Sequence, residues 1–293
     1  MKKNNWLPAY IALGIVWGCS FIFIKLGLNF LTPFGVAFGR CALGALALIT
    51  IAQIRGISLP RERSTWLKLW IVSLLLNVLP GILFAYAEVR VTSVVAGIIN
   101  ATTPLATLIV ILIAFQEEKP HGYQIVGLLF GAVGVFTVLG IWRGIGHNSL
   151  VGVIALLLAV SCYGLSFPII KKFVLPLGLK PEAMATTQLI SASITLLPLF
   201  LYSGIAKDQF KVGPAFAMLA LGIFGSGIAY IWNFQIIAAA GSSIASSVTY
   251  ITPLVAVIVG WIFLSEKIVW NQPIGALLVV LGAAISQNRF HRA

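Results

Sequence analysis

The chain has 293 residues, of which 60% are hydrophobic and only 9% charged, and it carries a formal net charge of +12. At a mean hydropathy of +1.04 it holds more apolar surface than a soluble domain of this size can hide, which excludes a soluble enzyme or binding module and places it in a membrane. No basic patch with interleaved stacking residues lies outside the apolar runs, so the positive charge reads as a topology and lipid-headgroup signal, with no nucleic-acid partner.

A helix crosses the hydrocarbon core in about 20 mostly apolar residues. In chain order such runs fall at residues 7–28, 34–54, 66–87, 91–115, 124–142, 149–171, 180–203, 214–237, 244–264 and 273–290, divided by short stretches such as Gly56 to Arg63 and Gln116 to His121. The expected fold class is an all-α integral membrane protein of ten transmembrane helices. Runs such as Ile71 to Leu76 lack the alternating polarity of a membrane β-barrel. Met1-Lys2-Lys3 before an apolar run looks like a secretory signal, but no small-residue cleavage site follows, and Lys25 and a second span come at once. Residues 7–28 are therefore read as the first span. Cys19, Cys41 and Cys162 lie inside spans, at spacings suited to neither a metal nor a disulfide framework, and read as small packing residues.

Orientation follows from Lys and Arg. With the N-terminus inside, twelve fall on the cytoplasmic side: Lys2, Lys3, Arg55, Arg61, Arg63, Lys68, Lys119, Lys171, Lys172, Lys180, Arg289 and Arg292. Five fall opposite: Arg90, Arg143, Lys207, Lys211 and Lys267. Both termini are expected in the cytoplasm.

Residues 18–25 read GCSFIFIK and residues 164–171 read GLSFPIIK, five identities in eight at a spacing of 146. Pro33 stands seven residues before Arg40, as Pro181 does before Gln188. AGIINATTP at 96–104 returns as ASSVTYITP at 245–253, spacing 149; Glu118-Lys119 returns as Glu266-Lys267, and Gly127 and Gly134 as Gly275 and Gly282, spacing 148. Each half thus holds five spans, predicting two repeats at 1–148 and 149–293. Five is odd, so the second copy starts from the opposite face and runs antiparallel to the first. An inverted repeat of this kind is a transporter architecture that holds solute near the midplane. The other reading is a duplication with no transport role.

These motifs and their second-half copies together resemble the drug/metabolite transporter superfamily, specifically its EamA-like family, over nearly the whole chain. The resemblance implies two EamA-like five-helix repeats forming a secondary carrier, commonly an exporter of amino acids and other small metabolites, in a bacterial cell membrane. An importer or facilitator of another small solute or drug is the alternative reading.

Polar and helix-breaking residues within spans mark where a solute would sit, because each is costly in hydrocarbon unless it faces protein or water. Pro104 and Pro253 lie mid-span and free the carbonyls of Asn100 and Thr249. These two acceptors are expected to face each other beside the side chains of Asn100, Thr103, Tyr250 and Thr252; kinks for packing are the other reading. Asn77 and Asn233 need partners for a buried amide, from a neighbouring helix, water or solute. Span three adds Pro80, span six Pro168, and span eight Trp232. Trp17 and Tyr163 stand just ahead of the repeated glycine and read as an aromatic wall or as ordinary core. Arg40 is about 10 Å deep by helix rise and must snorkel, pair with carbonyls or meet an anionic solute. The cavity candidates are therefore Trp17, Arg40, Asn77, Asn100, Thr103, Tyr163, Trp232, Asn233, Tyr250 and Thr252, with Pro80, Pro104, Pro168 and Pro253 as kink or gate positions.

The acids Glu62, Glu88, Glu117, Glu118, Glu182, Asp208 and Glu266 fall in loops or at helix ends, so the usual proton-relay signature is missing; Glu88 is the nearest candidate for coupling. A membrane enzyme would need a metal constellation or acid/base pair, and His121, His147 and His291 offer no ligand spacing. No catalytic residue, metal or cofactor is expected. A fixed channel suits a single-chain inverted repeat less well than alternating access. The partners are a small-molecule solute and the lipid bilayer. Gly127, Gly131, Gly134, Gly275 and Gly282 allow close helix approach, either within the chain or as a homodimer seam.

Overall fold

A computed structural model describes residues 6–115, 122–139, 149–205, 212–264 and 268–286. The Glu117-Glu118-Lys119 and Glu266-Lys267 stretches, Asp208, all three histidines, and Lys2, Lys3, Arg143, Lys207, Lys211, Arg289 and Arg292 lie outside the described residues. Among the described residues the chain is helical, apart from one isolated antiparallel bridge between Leu31 and Ile205.

Among the described residues seven continuous helical stretches are long and apolar enough to cross a membrane: Leu7–Gly27, Pro33–Ile54, Arg63–Glu88, Ser93–Ala114, Leu150–Leu177, Pro181–Ser203 and Val212–Ala240. The expected spans 124–142, 244–264 and 273–290 hold shorter helices or run into residues outside the described set. In chain order the helices are α1 (Leu7–Gly27), α2 (Pro33–Ile54), α3 (Arg63–Ser73), α4 (Leu79–Glu88), α5 (Ser93–Asn100), α6 (Thr103–Ala114), α7 (Gly122–Leu139), α8 (Leu150–Ile169), α9 (Pro181–Ser203), α10 (Val212–Gly222), α11 (Ala229–Ala240), α12 (Ser242–Ser246), α13 (Thr252–Leu264) and α14 (Asn271–Ser286).

Three expected spans contain a wide π turn: Leu74–Val78 joins α3 to α4, Ile170–Val174 follows α8, and Ile223–Ile228 joins α10 to α11. Two expected spans are broken. Residues 101–102 separate α5 from α6, and a tight helical turn, Ser247–Tyr250, leads from α12 to α13. Pro104 and Pro253 therefore occupy the first turn of a new helix, where a missing N–H goes unmissed, and do not kink a continuous one. Pro80 likewise enters α4 in its first turn, just after a π turn, whereas Pro168 lies inside α8 one turn before the next π turn.

α2 packs along α9 and α7 along α14; α1 packs on α10 and α13, and α8 on α4 and α6. Two glycine-lined contacts set the closest approaches. A Cβ on Gly134 would lie 2.8 Å from the Gly275 carbonyl oxygen, and one on Gly282 would lie 2.7 Å from the Gly127 carbonyl oxygen. The glycines expected to allow close approach within the chain or at a homodimer seam thus approach each other inside the chain. Cys41 is buried and Cys19 and Cys162 are half-buried, all as free thiols.

Candidate functional site

A cavity with about 40 Å³ of room for the centres of water-sized groups lies between α1, α2, α4, α5, α6, α8 and α11, with the turns at 74–78 and 247–250. One water needs roughly 10–15 Å³ on this measure, so the space holds about three. Of the sequence candidates, Trp17, Arg40, Asn100, Thr103 and Tyr163 line it, together with Ser20, Phe21, Ile24, Leu76, Phe84, Phe167, Tyr230 and Thr249.

The π turns and prolines explain how polar backbone is tolerated here. Pro80 cannot donate to Leu76, and the freed Leu76 carbonyl accepts from the Tyr230 hydroxyl at 3.0 Å. The carbonyl of Gly225, the sequence copy of Leu76 at spacing 149, accepts from Trp17 Nε1 at 3.2 Å. The two aromatics meet edge-on, centroids 6.2 Å apart. Phe84 stacks on Tyr163 and tilts against Phe21, each at 5.8 Å. A single cation faces this aromatic wall. Arg40 is 7% exposed, and its Nε donates to Ser226 Oγ at 3.0 Å.

The carbonyls freed by Pro104 and Pro253 both have a hydrogen-bond partner inside the chain. Each is taken by the threonine just ahead of its proline: Thr103 Oγ1 donates to Asn100 O, and Thr252 Oγ1 to Thr249 O, both at 2.7 Å. The two broken helices still meet, because Asn100 Nδ2 donates to Thr252 Oγ1 at 3.4 Å and that hydroxyl also approaches the Gly97 carbonyl at 3.4 Å. Thr252→Val would strip Thr249 O and Asn100 Nδ2 of a partner together, at about 1–3 kcal/mol per unsatisfied group. Its thermal midpoint is expected below that of Thr103→Val, which orphans Asn100 O alone; equal midpoints would remove Thr252 as the joint between the breaks.

Five sequence candidates lie off the cavity. Asn77 accepts from Gln188 Nε2 between helices. Asn233 is fully buried, and among the described residues neither of its polar atoms has a hydrogen-bond partner. Trp232 packs against the apolar core, two residues and so roughly 200° from Tyr230 on the same helix. Tyr250 clusters with Ala101 and Val279, and Thr252 sits in the joint just described. The missed lining is mostly apolar, and its signal was spacing: Trp17, Ser20, Phe21 and Ile24 follow i, i+3, i+4, i+7, and Tyr163 and Phe167 repeat i, i+4. Glu88, the acid read as the nearest coupling candidate, is buried at the end of α4 and accepts from Ser93 Oγ at 3.2 Å. Lys25 caps the same helix end, donating to the carbonyls of Glu88 at 3.0 Å and Val91 at 3.1 Å.

The model of the EamA-like transporter family matches residues 4–140 and again 150–287. The chain belongs to this family. Among relatives of the EamA-like chain, transporter YoaV of Bacillus subtilis is 22% identical over 284 residues, covering 96% of each chain. The inner membrane transporter YedA of Escherichia coli is 27% identical over 271 residues, 89% of this chain and 84% of that one. A solved crystal structure superposes with a TM-score of 0.75 over 99% of both chains at 17% identity, which speaks to the fold alone. This EamA-like protein is a multi-pass membrane transporter and not an enzyme.

Proposed function

We propose that this transporter is an alternating-access carrier that exports small metabolites such as amino acids, built of ten spans as two inverted repeats, residues 1–148 and 149–293. Both termini would face the cytoplasm of a bacterial cell, across its inner membrane. The pairing of helices supports the repeat, because exchanging the halves returns the same pairs: α1 with α11 exchanges for α8 with α4, and α1 with α13 for α8 with α6. The π turns at 74–78 and 223–228 stand at the 149 spacing of the sequence copies.

The observation that carries alternating access is an imbalance between copies. Ser20, Ile24, Arg40, Phe84 and Thr103 line the cavity, while their sequence counterparts Ser166, Ile170, Gln188, Asn233 and Thr252 do not, although Trp17 with Tyr163, Phe21 with Phe167 and Asn100 with Thr249 line it from both halves. The counterpart side holds polar atoms without a hydrogen-bond partner among the described residues: Asn77 Nδ2, Gln188 Oε1 and both polar atoms of Asn233. Buried orphans of this kind are costly, and a second state that opens the same side to water or solute satisfies them.

Flux in proteoliposomes across amino acids, sugars and cationic drugs, with and without a pH gradient, tests the reading. Saturable, competable flux is expected. Ohmic current, or flux proportional to concentration without limit, would replace the carrier with a channel.

A further inference from the structure

We propose that Arg40, held by Ser226, forms an anion subsite, and that the cavity takes solutes through a single carboxylate. The inference rests on the carrier reading above and adds the chemical class of its cargo.

Arg40 is more than nine-tenths buried and lines the cavity. Among the described residues its guanidinium makes one hydrogen bond, Nε to Ser226 Oγ, and both terminal nitrogens have no protein partner. No carboxylate comes within 4 Å of it among the described residues. Glu88 reaches it only through its field and is held by Ser93. A buried guanidinium left this way is strongly unfavourable unless an anion completes it. Its planar fork matches a carboxylate through two parallel N–H donors, and Nη1 and Nη2 are the two that stand open.

The sequence copy of this pair shows that the fold does not need the charge. Arg40 corresponds to Gln188 at spacing 148, and Ser226 to Asn77 at spacing 149. Gln188 and Asn77 bond each other at the equivalent crossing. One joint is thus a neutral amide pair packed shut, the other a cation beside a cavity. The same architecture holds with and without the charge, so the charge serves what enters.

The rest of the lining restricts the solute further. Six aromatic rings, those of Trp17, Phe21, Phe84, Tyr163, Phe167 and Tyr230, form most of the wall, and they suit an apolar body. A second negative charge would have no partner there, which selects a monoanion or a zwitterion over a dianion. An ammonium has the side-chain oxygen of Asn100 and the aromatic faces to meet. With about 40 Å³ available, this form accommodates little beyond the carboxylate, and the aromatic walls must part to admit the body.

The test compares binding and flux separately. Thermal stabilisation of purified protein in detergent is measured with leucine and phenylalanine, their carboxamides, which lack the carboxylate, and their deaminated acids, 4-methylpentanoate and 3-phenylpropionate. The acids and amino acids are expected to bind at least about 10-fold more tightly than the amides, as loss of a charge-assisted bidentate contact implies. In Arg40→Gln the ratio falls to near one, and in Arg40→Lys the preference persists at lower affinity. Amides binding as well as acids, no carboxylate in the panel binding, or Arg40→Gln retaining the preference would each overturn the subsite. The wild-type series does not depend on any variant folding. Proteoliposome flux of the same compounds decides the carrier reading on its own: binding without flux removes the carrier and keeps the subsite, while flux without carboxylate preference does the reverse.

Discussion

Gly164→Ala is expected to abolish transport and cut the yield of folded protein severely, and no change at its neighbour Ala106 is expected to restore either. A Cβ on Gly164 would lie 2.7 Å from Ala106 Cβ, 2.8 Å from Ala106 C and 3.0 Å from Thr107 N. The last two are backbone of α6, so Ala106→Gly removes one collision and leaves two. Gly18, the first-half copy, meets a different obstacle: its Cβ would lie 2.4 Å from Val255 Cβ and 2.7 Å from Val255 Cγ1, with Thr252 O farther off at 3.2 Å. Gly18→Ala is therefore also damaging, by about 1–3 kcal/mol of overpacking, but Val255→Gly in the same chain should recover most of the folded yield. Size-exclusion profiles in detergent and flux from the four single and two double variants decide it. Rescue of Gly164→Ala by Ala106→Gly would mean that α6 and α8 can part freely.

That pair of glycines also shows what the residues alone could tell. The repeated phrase was legible as a repeat, because identity at a constant spacing needs no structure. Its partners were not legible: nothing in GCSFIFIK says that Gly18 meets α13 of the second half while Gly164 meets α6 of the first, each just beyond a proline that opens a new helix. The prolines were legible as breakers, yet the fate of their freed carbonyls depended on one-residue context. Thr103 and Thr252 stand where their hydroxyls reach back three residues, and Tyr230 comes from another helix altogether. Polar residues were sought for the cavity, and the phenylalanines at helical spacing from Trp17 and Tyr163 were passed over because the same spacing describes ordinary core. The π turns, which admit Leu76 to the cavity and Ser226 to Arg40, have no compositional signature to find.

The depth of Arg40 was legible, but its consequence needed the second copy. A cation about seven residues into a span has several ways to be satisfied, and only the Gln188–Asn77 bond at the equivalent crossing shows that a neutral pair suffices for packing. On the anion-subsite proposal the asymmetry between the two joints belongs to the solute pathway and not to the scaffold. It also gives the two sides unequal work to do: the side with the charge stands partly open, and the side with amides is closed over its orphans.

Asn233→Leu should raise the thermal midpoint of the protein and slow its transport. Both polar atoms of Asn233 are buried and without hydrogen-bond partners among the described residues, and leucine has the same branched shape and number of side-chain heavy atoms with nothing to satisfy. Removing such orphans recovers about 1–3 kcal/mol in the state where they are buried. On the alternating-access reading the same side chain is wetted in the opposite state, so leucine gains there less or loses outright. The equilibrium between the states then shifts by about 5- to 150-fold toward the closed side, since 1–3 kcal/mol of coupling corresponds to that range. A carrier must visit both states in each cycle, so a more stable protein is a slower one. Asn100→Leu separates this effect from damage at the cavity: its amide donates to Thr252 and lines the cavity, so its loss should reduce flux with a lower midpoint. The pair of measurements has opposite signs for stability and the same sign for transport. If Asn233→Leu lowers the midpoint and leaves flux unchanged, Asn233 is an ordinary packing residue with an unseen partner, and the closed side does not open.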